Sequence, residues 1–317
     1  MSVSFTPSQV GQHQVSVTFR GKALLGNPFN FDAVDRPIYR RDYNAMSDQP
    51  VGRFGSQGVG EGQFYNPYSV TCNSKGEIVV ADYLSHRIQV FDRNGEFLLK
   101  FGWNGKGNGQ FVNPGGVTVD QRTNQIVVAD TNNHRVQIFD ERGAFLRVFG
   151  SNGKGDGQFD RPFGVVVDKQ GNYVVTDHSN SRVQLFNSTG QFIRKFGSYG
   201  EGEREMRSPV GVGLLSNGNI VVAEYNGNRL QILDVEGKFV RIVGAGQVMS
   251  VYHLFVDSDD NILVADHDNN RIQVFNENGD LIKAIGAGHL SSPGGVCMDR
   301  GGRVIVSEVG GQRISIF

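Results

Sequence analysis

Six times along this chain an acid is followed five residues later by an arginine. The acids are Asp82, Asp130, Asp177, Glu224, Asp266 and Glu308, and the arginines Arg87, Arg135, Arg182, Arg229, Arg271 and Arg313. A carboxylate beside a guanidinium can act in proton transfer, hold a phosphate or a metal, or form a partly buried charge pair that binds nearby backbone. The third use fits best here. Six copies of one turn account for six identical pairs more simply than six active sites do.

Other residue types with chemical potential are sparse. The only cysteines, Cys72 and Cys297, are too few for a disulfide scaffold or a four-ligand zinc site and read as buried, apolar-like thiols. Glycine runs such as "GSNGKGDG" at 150–157 lack the strand–GxxxxGK[ST]–helix setting of a phosphate loop. No serine or cysteine has a recognisable base partner in sequence. No catalytic residue, metal or cofactor is therefore expected.

The pairs sit in a repeat. "VVADYLSHRIQVF" (79–91) recurs as "VVADTNNHRVQIF" (127–139), "VVTDHSNSRVQLF" (174–186), "VVAEYNGNRLQIL" (221–233), "LVADHDNNRIQVF" (263–275) and "VIVSEVGGQRISIF" (304–317). Successive acids lie 48, 47, 47, 42 and 42 positions apart, so the loop before the fifth and sixth units is trimmed. Each unit reads as four short strands with period-two alternation, separated by turns rich in Gly, Asn and Asp. Such a unit, repeated six times, predicts an all-β, six-bladed β-propeller with four antiparallel strands per blade. The 43 glycines have no period of three and serve its turns.

The chain ends on the third strand of unit six, while "QPVGRFG" (49–55) mimics the fourth strand "AFLRVFG" (144–150). Pro50–Phe54 is therefore expected beside Arg313–Phe317, closing the ring and removing its open edges.

The pattern "FGSxGxGxGQFxxPxGV…IVVADxxNHRIQVF" resembles the NHL repeat, strongly in units one to three and more loosely in four to six. The resemblance covers about residues 50–317. Ahead of it, "SFTPSQVGQHQVSVTFRGKALLGNPFNF" (4–31) resembles the last strands of a filamin-type immunoglobulin domain. The expected organisation is a partial filamin-type segment at 1–35, a charged linker at 36–48 and the propeller at 49–317. The early strands of an immunoglobulin fold are absent from the first segment, so the chain is expected to begin inside a domain. This combination resembles the tripartite-motif NHL proteins, which implies that a RING, B-boxes and a coiled coil carry ubiquitin-ligase activity and that the propeller recruits targets, often messenger RNA. The chain contains no Cys/His zinc array to perform ligase chemistry itself.

One face of the ring is expected to gather the glycine-rich loops and the acid-to-Arg turns. Here it is called the upper face. Six of the nine tyrosines and six of the seven histidines fall there. Tyr68, Phe163, Tyr83 and Tyr225 are candidate contact rings, with Trp103 and His253 beside them. Lys106, Arg161, Arg204 and Arg207 are candidate cations. His86 and His134 occupy a repeat position and are expected to serve the turn. Flat amphipathic side chains suit a binding surface.

RNA is the first expectation, on the family resemblance; a protein or peptide target is the alternative, because these loops carry slightly more acid than base. The remote alternative is a metal-dependent enzyme in the central channel, where Tyr68, Gly115, Phe163, Val210 and Gly294 offer no ligands and unit five only Tyr252-His253. Net charge −1 gives no pull toward a membrane. The start lacks the regions of a signal peptide, so a monomeric, cytoplasmic propeller is expected, with no small-molecule substrate and no membrane partner.

Overall fold

A computed structural model describes residues 42–317, and in the preceding stretch the strands Gly11–Val15, Thr18–Phe19, Lys22–Ala23 and Phe29–Ala33. The chain divides into two units, Met1–Ile38 and Tyr39–Phe317. In the first, Gly11–Val15 pairs antiparallel with Phe29–Ala33, and Thr18–Phe19 with Lys22–Ala23.

The second unit is a ring of six four-stranded antiparallel sheets. Blade 2 shows the pattern: Pro114–Asp120 is innermost, followed outward by Gln125–Asp130, Arg135–Phe139 and Phe145–Phe149. The middle strands are buried on both faces, which is why they read as near-continuous runs of Val and Ile. The outermost strand alternates half-buried and exposed residues. In blade 6 the fourth strand is Gly52–Phe54, paired with Arg313–Ile316 in the register Ile314↔Phe54, Ser315↔Arg53 and Ile316↔Gly52. The two ends of the propeller thus meet in one sheet.

Each acid lies opposite its arginine in the second and third strands, as in Asp130↔Arg135. All six acids are fully buried, and the arginine Nε stands 2.7 to 2.9 Å from the carboxylate in every blade. The other carboxylate oxygen accepts a backbone N–H from the loop that enters the blade: Tyr65, Val112, Asp160, Arg207, Met249 and Ser291 donate at 2.7 to 2.8 Å. The rest of the guanidinium binds the same loop. Arg135 donates to the carbonyls of Lys106, Gly107 and Gln110. Gln137, two residues on, joins Gln110 O to the acid. Burial pushes the carboxyls of Asp82, Asp130 and Asp177 up, against the arginine and N–H donors that pull them down.

The trimmed loops alter this network. Among the described residues, Arg271 before blade 5 reaches only Gln247 O in addition to its acid, and Arg313 before blade 6 binds only Glu308. Their side chains are 32% and 31% exposed, against 7% to 14% in blades 1 to 4. The buried Phe64, Phe111, Phe159 and Met206 of the long loops give way to Val248 and Leu290.

The innermost strands approach one another closely around the axis. A Cβ on Gly116 would lie 2.1 Å from Phe163 O, and one on Gly164 would lie 2.1 Å from Val210 O. At the equivalent place in blade 5 the chain has His253. Its ring stacks on Phe163 at 5.5 Å, and its Nε2–H donates to Gly115 O across the ring at 3.2 Å. His253 is therefore packing in the channel and not a presented contact residue, which corrects the sequence expectation. Burial holds it down at about 4.

The expected linker ends earlier than residue 48. Residues 36–41 lie outside the described part, but Asp42 caps a single 3-10 turn, Tyr43–Ala45. Tyr43 and Met46 are buried against blades 5 and 6, and the Tyr43 hydroxyl donates to Asp257 at 2.7 Å. The charged run of sequence hid these two anchors.

Two outcomes follow from this packing. Arg135→Ala leaves Asp130 buried without its cation and the Lys106 carbonyl without its donor, and should cost about 3–5 kcal/mol. Arg271→Ala, at a wetter site with fewer partners, should cost clearly less. Denaturant midpoints measure both, and equal losses would contradict the assignment. The second outcome concerns pH. His253 titrates near 4 in the fold and near 6.5 when unfolded, so the unfolded chain binds the extra proton between those values. Its contribution is complete above pH 6.5 and is lost as pH falls toward 4, to the extent of about 2–3 kcal/mol. His253→Phe should flatten part of the stability fall between pH 7 and 4. An unchanged pH profile would contradict the buried neutral imidazole.

Candidate functional site

The acid-to-Arg turns and the glycine-rich loops share one face, as the arginine-to-loop hydrogen bonds require. The residue just after each inner-strand start and the residue just after each repeat acid meet at the centre of that face. Tyr68 lies 4.6 Å from Tyr83, 5.2 Å from Tyr252 and 5.9 Å from Phe163, between ring centroids. Tyr252 also lies 5.0 Å from Tyr225 and 4.7 Å from His267. Phe163 adds His178 at 6.3 Å. The result is an aromatic funnel over the channel, floored by Phe163 and His253 and walled by half-buried tyrosines.

Phe163 is 6% exposed, so this ring, expected to be offered to a ligand, is mainly core. Tyr68, Tyr83 and Tyr225 remain partly open. Tyr252 is central yet was not among the expected contact residues. Blade 5 carries Val251 where the other five have a proline, which obscured the alignment that places Tyr252 beside Tyr68 and Phe163. Burial pushes the phenols of Tyr68 and Tyr252 up and holds His178 down at about 4, so the funnel is uncharged near neutral pH.

Arg161 stands at the mouth of the funnel. Its charge acts on both Tyr68 and His178. It is exposed, and among the described residues no carboxylate lies within ion-pair distance of its guanidinium. Its backbone is left-handed, φ +60°, at a position filled elsewhere by Asn66, Asn113, Ser208, Ser250 and Ser292. Short polar residues tolerate that conformation far better than arginine does. Arg204 is similar: exposed, with φ +66°, where the other long loops place Gly62, Gly109 and Gly157. Arg207, by contrast, is paired with Glu201. Lys106 is exposed at a loop tip, its carbonyl bound by Arg135. Trp103, 60% exposed, is not in the funnel; it lines an outer groove with Lys100, Phe101 and Phe145.

In five of the six seams the turn residue before the arginine joins neighbouring blades. His86 Nδ1 accepts Asn113 N–H at 3.0 Å, and His134 Nδ1 accepts Arg161 N–H at 3.2 Å. Asn228, Asn270 and Gln312 accept Ser250, Ser292 and Asn66 N–H at 2.6 to 2.7 Å. His86 and His134 thus serve turns, and the turn they serve is that of the next blade. Among the described residues, no three His, Cys, Asp or Glu side chains gather as metal ligands would, and no helix is long and apolar enough to cross a membrane.

NHL repeats match residues 64–91, 111–139, 159–186, 206–233, 255–275 and 290–317. Protein lin-41 of Caenorhabditis elegans is 34% identical over 102 residues, covering 32% of this chain and 8% of lin-41. E3 ubiquitin-protein ligase TRIM71 of Rattus norvegicus is 38% identical over 95 residues, covering 30% and 10%. Protein brain tumor of Drosophila melanogaster is 51% identical over 45 residues, covering 14% and 4%. The matched stretches span a tenth or less of these relatives. Among solved structures, virginiamycin B lyase from Staphylococcus aureus superposes with TM-score 0.58 at 14% identity, over 85% of this chain and 95% of that one, a likeness of fold alone. The chain belongs to the NHL-repeat family, and its propeller is of the kind carried by the tripartite-motif NHL proteins.

Proposed function

We propose that this propeller is a target-recruiting module whose upper face holds single-stranded RNA. The observation that carries the reading is Arg161. A cation with no ion-pair partner among the described residues is held in a costly left-handed conformation beside a funnel of uncharged rings. A phosphate fits the guanidinium, and a base fits the edges of Tyr68, Tyr83 and Tyr225. Arg204 and Lys106 extend the cationic path outward along the loops. Arg207 contributes less, because Glu201 already holds it.

A protein target remains the second reading, and one observation favours it. Trp103 and Tyr199 are 60% and 73% exposed on the outer upper loops, the anchor type that protein interfaces use. The ubiquitin-ligase activity named for TRIM71 belongs to that whole protein; if this propeller serves a ligase, its part is to hold the substrate.

Titration with a pool of short single-stranded RNA at two salt concentrations separates the readings. Wild-type affinity should fall steeply with salt. Arg161→Ala should weaken binding roughly tenfold and reduce the salt slope by about one. Asp259→Ala, in a turn on the opposite face, should leave both unchanged. No binding at low salt, or a salt slope indifferent to Arg161, would favour the protein reading.

A further inference from the structure

The chain's two cysteines lie 225 positions apart in sequence, and their sulphurs touch, with Cys72 Sγ 3.6 Å from Cys297 Sγ. Cys72 is on the innermost strand of blade 1 and Cys297 on that of blade 6. These blades flank the seam where the propeller closes. The repeat provides its own control. Where blade 1 has Cys72, the other blades have Val119, Val167, Leu214, Val256 and Met298; where blade 6 has Cys297, the others have Thr71, Thr118, Val166, Gly213 and Phe255. The same register brings Gly213 against Val256 between blades 4 and 5. Both cysteine replacements therefore fall on one seam, in the register that makes them neighbours.

We propose that Cys72 and Cys297 form a redox-closable staple that locks blade 6 to blade 1. A disulfide needs the sulphurs at about 2.0 Å, so closure asks for a modest approach of two adjoining strands. The oxidant required is a two-electron acceptor of the peroxide class. One thiolate attacks a peroxide oxygen, giving a sulfenic acid and hydroxide, which takes up a proton as water. The second thiolate attacks the sulfenic sulphur, and a second water leaves. The thiol pair gives up two electrons and its two protons, hydrogen peroxide becomes two waters, and the S–S bond replaces two S–H bonds.

The surroundings explain when this can happen. Both sulphurs sit in a cluster with Ile305, Ile314 and Ile316, with Phe54 of the closing strand packed against it. Burial pushes the Cys297 thiol well up, so the closed ring protects the pair. The closing strand has only the three paired residues Gly52–Phe54, and its release opens the seam to a small oxidant. Once formed, the cross-link ties the first blade to the last across nearly the whole propeller. Long loops of this kind constrain the unfolded chain most.

The full chain, treated with hydrogen peroxide and then freed of it, tests the proposal. The product should be about 2 Da lighter. It should run faster on an unreduced denaturing gel, offer no thiol to alkylation after unfolding, and melt several degrees higher until a dithiol reductant reverses the shift. Cys297→Thr, which installs the residue of blades 1 and 2, should show none of these changes. Cys72→Val, which installs that of blades 2, 3 and 5, gives a second control should the first fold poorly. Two alkylatable thiols after treatment, oxygen added to sulphur without a cross-link, or a cross-link without a higher melting temperature would each overturn the staple.

Discussion

The propeller depends on one arrangement made six times: a buried carboxylate that binds an arginine with one oxygen and a loop N–H with the other. A buried ion pair is weak evidence of stability, because desolvation offsets much of the attraction. Its value here lies in where its hydrogen bonds go. The loop that arrives from the preceding blade has many glycines and little apolar surface, so packing alone would leave it loose. In blades 1 to 5 the guanidinium and the following glutamine satisfy its carbonyls, and in all six the acid satisfies the N–H at its end. Each blade therefore fixes its own entrance. The His, Asn or Gln before each arginine then reaches the next blade in five of the six seams. Neighbouring blades are joined by hydrogen bonds as well as by apolar faces.

Much of this was legible in the sequence because the repeat is strict. Acid, arginine and alternating apolar residues recur in register, so blade count and strand order followed from the repeat, and ring closure from the likeness of "QPVGRFG" to the fourth strand that unit six lacks. The contents of the channel were harder to read. Tyr68 and Phe163 look equivalent in the repeat, yet one remains half-open and the other is floor, because Phe163 also stacks on His253 from across the ring. No local pattern reports a contact between blades 3 and 5. Tyr43 and Met46 were hidden for a related reason: they pack against residues more than two hundred positions away, inside a stretch that looks like a charged linker.

The same rigidity bears on function. Loops on propellers carry recognition, and recognition gains when the loops need no ordering on binding. The upper face joins fixed loops to a central set of uncharged rings and sets Arg161 at its edge in a conformation that arginine does not favour. Such local cost persists where the surroundings impose it. The same conformation recurs before the inner strand of all six blades, and at Arg161 the N–H is accepted by His134 of the preceding blade. The upper face and the blade-to-blade network are therefore one construction.

Hydrogen exchange read at single amides tests that construction most directly. The N–H groups of Tyr65, Val112, Asp160, Arg207, Met249 and Ser291 lie outside the four-stranded blade sheets, yet each is bound by a buried carboxylate. They should exchange as slowly as the central strands of their blades, opening only with the fold. Exchange at the rate of an exposed loop would show that the carboxylates do not hold the loops, and would contradict the account.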